Sequence, residues 1–213
     1  MVYKLAPIVL FTYNRPVHTK NVLDSLAANE KAADSILYVF CDGAKEGASE
    51  EVLKKIDAVR KIVTSEKRFK EVIVTLQPNN KGLANSIING VTTVIKEHGR
   101  AIVLEDDLQF SPFFLDYMND ALTRYKDNKN VGHIGSCNFF ACGSRFPDSF
   151  FTTMPDTWGW ATWSDRWEAF NSDAVFLFKE LEKRDLMHTF NTYGAYNMKQ
   201  MLVDQIFGKV DSW

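Results

Sequence analysis

Three times in its first half this chain repeats one pattern: a short apolar run, a polar turn, then a stretch with apolar residues at helical spacing. Residues 7–12 are the first run and Tyr13-Asn14-Arg15-Pro16 the turn, with a helix predicted over about 17–28 on Val22, Leu23, Leu26 and Ala27. Residues 36–40 are the second run, ending at Cys41-Asp42-Gly43. The helix after it, about 49–66, sets Val52, Ile56, Val59 and Val63 on one face. Ser49 suits its N-cap, and acids in the first turn suit its dipole. Residues 71–76 are the third run, closed by Gln77-Pro78-Asn79-Asn80-Lys81-Gly82, before a helix marked by Leu83, Ile87, Val91 and Val94 and ended by Gly99. Parallel strands need a crossover that a helix supplies, so the alternation predicts an α/β fold: a mainly parallel sheet with helices on both faces.

A fourth run, Ala101-Ile102-Val103-Leu104, leads into Glu105-Asp106-Asp107. Leu108 follows, and Ser111 as N-cap with Pro112 at the first helical position opens a helix to about Tyr125. Three acids where a buried strand emerges need a reason, because burying an unpaired charge is costly. A divalent cation such as Mn2+ or Mg2+ supplies one, since hard cations take oxygen ligands. A solvated acidic turn is the plain alternative.

In parallel sheets ligands bind beyond the carboxyl ends of the strands. Asn14-Arg15, Asp42-Gly43, residues 79–82 and residues 105–107 all fall at such ends and are expected to converge on one crevice. Asp42 can accept from a nucleobase N–H, or simply form an Asp-Gly turn. Arg15 has a planar fork for base or phosphate. Lys81 stands near a helix N-terminus, a fair place for an anion.

The second half reads differently. Residues 131–136 look like a fifth strand, residues 139–153 have no clean period, and helices are expected over about 173–187 and 196–207. Trp158-Gly159-Trp160-Ala161-Thr162-Trp163 is dense in indole. Aromatic faces stack on sugar rings, so Trp158, Gly159 and Trp160 are candidate substrate-binding residues, with core packing as the alternative. The glycine implies close backbone approach, to another segment or to a ligand. His98 and His133 lack metal-ligand spacing.

At 213 residues the chain is long enough for one ample domain. Its net charge of −2 offers no footprint for nucleic acid. Cys41, Cys137 and Cys142 form no disulfide or zinc pattern, which favours a cytoplasmic setting. No secretory signal or membrane-spanning run is visible, and peripheral contact with a membrane stays open.

Taken together, residues 7–16, 38–43, 79–89, 102–108 and 158–167 resemble the GT-A glycosyltransferases, whose fold is Rossmann-like. The likeness is greatest to bacterial family 2-like sugar transferases. A further similarity is to the N-acetylglucosaminyltransferase I group, whose acidic motif is also Glu-Asp-Asp. The resemblance implies a single GT-A domain over 1–213, with a nucleotide-binding half over 1–110 and an irregular, aromatic-rich acceptor half over 111–213. It implies Asp107 as metal ligand, Glu105 and Asp106 on ribose and the metal shell, and Arg15 and Asp42 on the base, usually uracil. The catalytic base would be Asp211, in Asp211-Ser212-Trp213, with Asp204 behind it. Members normally continue past that point, often with a His that contacts the metal, so a C-terminally truncated chain is expected.

The implied reaction is metal-dependent, inverting sugar transfer from a nucleotide-diphosphate donor, a UDP-sugar, to a saccharide hydroxyl in surface glycan assembly. Three alternatives remain open. A nucleotidyltransferase lacks its glycine-rich basic loop here, a glycoside hydrolase needs two opposed carboxylates, and a sugar-nucleotide-binding module would bind without turnover.

Overall fold

The computed structural model describes residues 4–137, 147 and 149–210. Its first elements are β1 (Ile8–Thr12), α1 (Pro16–Ala27), β2 (Ile36–Cys41), α2 (Glu50–Ser65), β3 (Glu71–Leu76), α3 (Leu83–His98) and β4 (Arg100–Glu105). They are followed by α4 (Phe114–Arg124), β5 (Ile134–Gly135), β6 (Trp160–Trp163), α5 (Ser164–Trp167), α6 (Ala174–Lys183), α7 (Met187–Phe190) and α8 (Met198–Ile206). The strands form one six-stranded sheet in the order β3-β2-β1-β4-β6-β5. The β1–β2, β2–β3 and β1–β4 pairs are parallel, and β6 runs antiparallel to β4 and β5. The α/β class expected from the alternation is therefore the observed one.

Local signals account for most boundaries. Pro16 opens α1, the Ser49 hydroxyl accepts from Val52 N–H, and Gly99 ends α3 in the left-handed conformation at φ 76°. Ile8, Leu10, Leu37, Val39, Ile102 and Leu104 point to one face, where Val22, Leu23 and Leu26 of α1, Val59 and Val63 of α2, and Leu115, Met118 and Leu122 of α4 cover them. Each such side chain, fully buried, contributes roughly 1.5–3 kcal/mol. On the other face α3 comes close to β1 because Gly90 has no side chain: a Cβ there would lie 2.7 Å from the Phe11 ring.

Three expectations are corrected. The helix after Ser111-Pro112 begins at Phe114, because Ser111 Oγ and Ser111 O accept from Phe113 and Phe114 N–H and make a preceding turn. The fifth strand is two residues long instead of six. Residues 160–163, read as an irregular aromatic segment, form a strand with all four residues buried.

The described residues fall into two compact units: those up to Cys137 with Asp156–Glu168, and those between 138 and 155 with those from Ala169 onward. α4, β5 and β6 belong to the first unit, with the rest of the sheet. In the second unit Asp173 caps α6 by accepting from Phe176 N–H, and Asn197 caps α8 by accepting from Gln200 N–H. Among the described residues of this unit only Ala174 is buried. No helix among the described residues is long and apolar enough to cross a membrane.

Candidate functional site

The sheet order reverses at β1: β2 and β3 lie to one side of it and β4 to the other. The carboxyl ends of the paired strands β1 and β4 lie side by side at this reversal, the usual ligand position in open parallel sheets. The end of β1 leads into Tyr13 and Arg15, and the end of β4 supplies Glu105, Asp106 and Asp107.

Arg15 precedes α1, and its carbonyl accepts from the N–H and the hydroxyl of Thr19 in the helix's first turn. Its guanidinium reaches across to β4, donating to Asp107 Oδ2 at 2.9 Å and lying 3.5 Å from Asp106 Oδ1. Asp106 is buried at 7% exposure, with the Tyr13 N–H directed toward its carboxyl. Burial pushes its carboxyl up, against the pull of Arg15 and that N–H. The Glu105 carboxyl is pushed up to about 7, first by burial and then by the negative charges of Asp107 and Asp106. Asp107 stays half-exposed. The site therefore concentrates negative charge that one arginine only partly offsets.

Among the described residues no three His, Cys, Asp or Glu side chains converge closely enough to enclose an ion. The donors are nevertheless all oxygen, on consecutive residues, in a place where like charges already raise Glu105. That set suits Mg2+ or Mn2+ held by one or two carboxylates, with substrate phosphates and water completing the shell.

Asp42, at the end of β2, is 8% exposed and heavily engaged. Its Oδ1 accepts from Gly43 N–H (2.9 Å) and Lys81 N–H (2.8 Å). Its Oδ2 accepts from Asn80 Nδ2 (2.9 Å) and Gly82 N–H (3.1 Å). A carboxylate offers about four lone-pair positions, so a nucleobase would have to displace one of these donors. In this structure Asp42 fixes the 79–82 loop and the start of α3. The Lys81 side chain is exposed on that loop.

The aromatic segment is split by the sheet. Trp160 is 4% exposed, its ring 5.8 Å from that of Trp167, so it is a core residue of β6. Gly159 is needed twice over: its φ is 81°, and a Cβ would lie 2.5 Å from Ser136 Oγ. The close approach is thus to another segment of this chain. Trp158 is 54% exposed. β6 runs antiparallel to β4, with Val103 paired to Trp160, so the entry to β6 that carries Trp158 lies at the sheet edge where β4 ends.

Asp211 lies outside the described residues. Asp204 is on α8 of the second unit and is bound to Lys209 Nζ (3.1 Å) and Gln200 Nε2 (3.0 Å). Those contacts hold its carboxyl below the usual range, the lysine contributing most, which weakens it as a proton acceptor. The sequence reading missed Asp156, a buried carboxylate between the ends of β5 and β6. The turn dipeptide Pro155-Asp156 was its only local signal.

No protein-family profile and no curated protein sequence matches this chain. Among solved structures it is similar to the mannosyltransferase PcManGT from Pyrobaculum calidifontis, described in complex with GDP-Man and Mn2+. The identity is 13% and the TM-score 0.44, over 64% of this chain and 36% of that one. It is also similar to S. aureus TarS, at 14% identity and a TM-score of 0.41, over 57% of this chain and 20% of that one. The matches thus span about a third and a fifth of those proteins. The α/β class follows from the sheet itself. The expected similarity to the N-acetylglucosaminyltransferase I group finds no support in them.

Proposed function

We propose that this protein is a glycosyltransferase that moves a sugar from a nucleotide-diphosphate donor, a UDP-sugar, to a saccharide hydroxyl in surface glycan assembly. One observation carries the reading. Arg15, Asp106 and Asp107 meet beyond the carboxyl ends of β1 and β4, where the strand order reverses.

A diphosphate placed there meets one cation from the chain and three acids that need more positive charge. Asp107, with Asp106 and Glu105 beside it, would hold Mn2+ or Mg2+, which when bound would neutralise charge on the departing diphosphate. Arg15 turns from Asp107 to a phosphate or to the base through its planar fork. Asp106 and Glu105 accept from ribose hydroxyls. Asp42 keeps the 79–82 loop in shape, and Lys81 offers its ammonium to the nucleotide. The Trp158 indole stacks on a sugar ring and keeps water from the anomeric carbon.

A base takes the proton from the acceptor hydroxyl as it attacks the face opposite the diphosphate, so the anomeric configuration inverts. The resemblance to GT-A enzymes makes Asp211 the first choice for that base and Asp204 the second. The bond formed is acceptor oxygen to anomeric carbon, and the bond broken is anomeric carbon to diphosphate oxygen.

A sugar-nucleotide-binding module without turnover is the second reading, favoured by the Lys209 partner that weakens Asp204 as a base. Release of nucleoside diphosphate from a panel of UDP-sugars and GDP-sugars, with Mn2+ and mixed saccharide acceptors, separates the two. Acceptor-dependent release that Asp107→Ala abolishes supports transfer. Metal-dependent binding without release supports the module, and absence of both removes the nucleotide-sugar reading.

A further inference from the structure

Asp156 has no part in the chemistry above, yet it is 8% exposed and its carboxylate accepts three hydrogen bonds. Its Oδ1 accepts from Trp158 N–H at 2.8 Å. Its Oδ2 accepts from Ser136 N–H at 3.1 Å and Cys137 N–H at 2.8 Å. Among the described residues no lysine or arginine is ion-paired with it. Among the described residues its hydrogen bonds come from backbone N–H groups, an arrangement that fixes geometry more than it neutralises.

The surroundings extend the same clamp. The Asp156 N–H donates to His133 Nε2 at 3.2 Å, and burial lowers the tendency of that imidazole to take a proton. Ser136 Oγ donates to the Trp158 carbonyl at 3.1 Å, and Ser136 N–H donates also to Gly159 O at 3.0 Å. The Tyr117 hydroxyl donates to Gly135 O at 3.2 Å. Gly135 is obligatory beside the carboxylate, because a Cβ there would lie 2.9 Å from Asp156 Cβ. The exit of β5 and the entry to β6 are therefore tied to each other through one side chain, and Trp158 is the exposed residue at the knot.

We propose that Asp156 is a positioning residue that fixes the turn carrying Trp158, so that the indole is held at the sheet edge where β4 ends and forms the platform for the donor sugar. The platform role rests on the glycosyltransferase reading. The clamp itself does not.

The test uses Asp156→Asn in the full chain, which keeps size and one acceptor oxygen. Amide hydrogen exchange is followed at Ser136, Cys137 and Trp158. Trp158 emission is isolated by subtracting the spectrum of each protein's Trp158→Phe counterpart. The expected result is exchange at least tenfold faster at those three amides, unchanged exchange in β1 and β4, and a clear fall in Trp158 anisotropy. Calorimetry with Mn2+ then compares UDP with UDP-glucose, UDP-galactose and UDP-N-acetylglucosamine. UDP affinity should stay within about twofold of wild type, and the added affinity from the sugar should be lost.

Protected amides, or faster exchange with Trp158 anisotropy unchanged, would overturn the proposal. If Asp156→Asn does not fold, Ser136→Ala decides, since it removes only the hydroxyl on the Trp158 carbonyl. A fall in Trp158 anisotropy supports the clamp, and an unchanged value overturns it. Failure of the wild type to bind any UDP compound would defeat the glycosyltransferase reading and the platform role, while exchange and anisotropy still decide the clamp.

Discussion

Arg15, just beyond β1, donates to Asp107, just beyond β4, at 2.9 Å, and so occupies the carboxylate proposed to hold the metal. An exposed pair of this kind adds little stability, about 0–1 kcal/mol, so its consequence is for ligands. Arg15→Gln should raise affinity for Mn2+ alone by a few fold, because a competing cation is gone. The same substitution should weaken UDP binding about tenfold, since a charged hydrogen-bond donor is worth roughly 1.5–3 kcal/mol. Calorimetric titrations of Mn2+ and of UDP check both signs.

Glu105 gives a stability prediction of the opposite sense to most carboxylates. Its folded value stands at about 7, above the 4.5 of an unperturbed group, so folding favours the protonated form. That contribution is complete below pH 4.5 and is lost as pH rises through 7. In EDTA, Glu105→Gln should therefore stabilise the protein at pH 8, by on the order of 2 kcal/mol, and leave it nearly unchanged at pH 4. Urea unfolding of both proteins at the two pH values measures it.

Glu66 behaves in the contrary way. Burial works to raise its carboxyl, but hydrogen bonds from Arg68 and from the Lys67 and Arg68 N–H groups outweigh it and hold the group below the usual range. Its contribution is present above pH 4.5 and lost as pH falls through the folded value. Glu66→Gln should cost about 1–2 kcal/mol at pH 7, allowing for the solvent around Arg68. Thermal unfolding should show that gap closing as the pH is brought down toward 3.

Gly43 sets the fit of the Asp42 turn against the 79–82 loop. A Cβ there would lie 2.7 Å from the Cα and N of Asn79, which are backbone atoms and cannot swing aside. Gly43→Ala should lower stability by about 1–3 kcal/mol, the usual cost of overpacking. UDP affinity should fall with it, because the displaced loop carries Lys81. Denaturant unfolding and UDP titration of the same variant measure the two effects.

What the sequence made legible was whatever is decided locally. The strand at residues 71–76, the Ser49 cap and the Gly99 stop are each determined by a few neighbouring residues, and all three stand as expected. The position of the acidic triplet followed from the strand before it. The partners of the polar groups did not. Three of the four donors to Asp42 lie 38–40 positions away, and two of the three to Asp156 lie 19 and 20 positions away. No periodicity encodes such pairings. Trp160 was misleading for a related reason: indole density reads alike in a binding surface and in a strand, and only pairing with β4 shows that Trp160 is buried while Trp158 is exposed.

The central claim is that the acids beyond β4 hold a metal-bound nucleotide diphosphate, and calorimetry with UDP tests it most directly. The titration is run on the wild type with Mn2+, on the wild type with EDTA, and on Asp107→Ala with Mn2+. The account predicts saturable binding in the first case and at least a tenfold loss in the other two. Equal binding in all three, or none by folded wild-type protein in Mn2+, would contradict it.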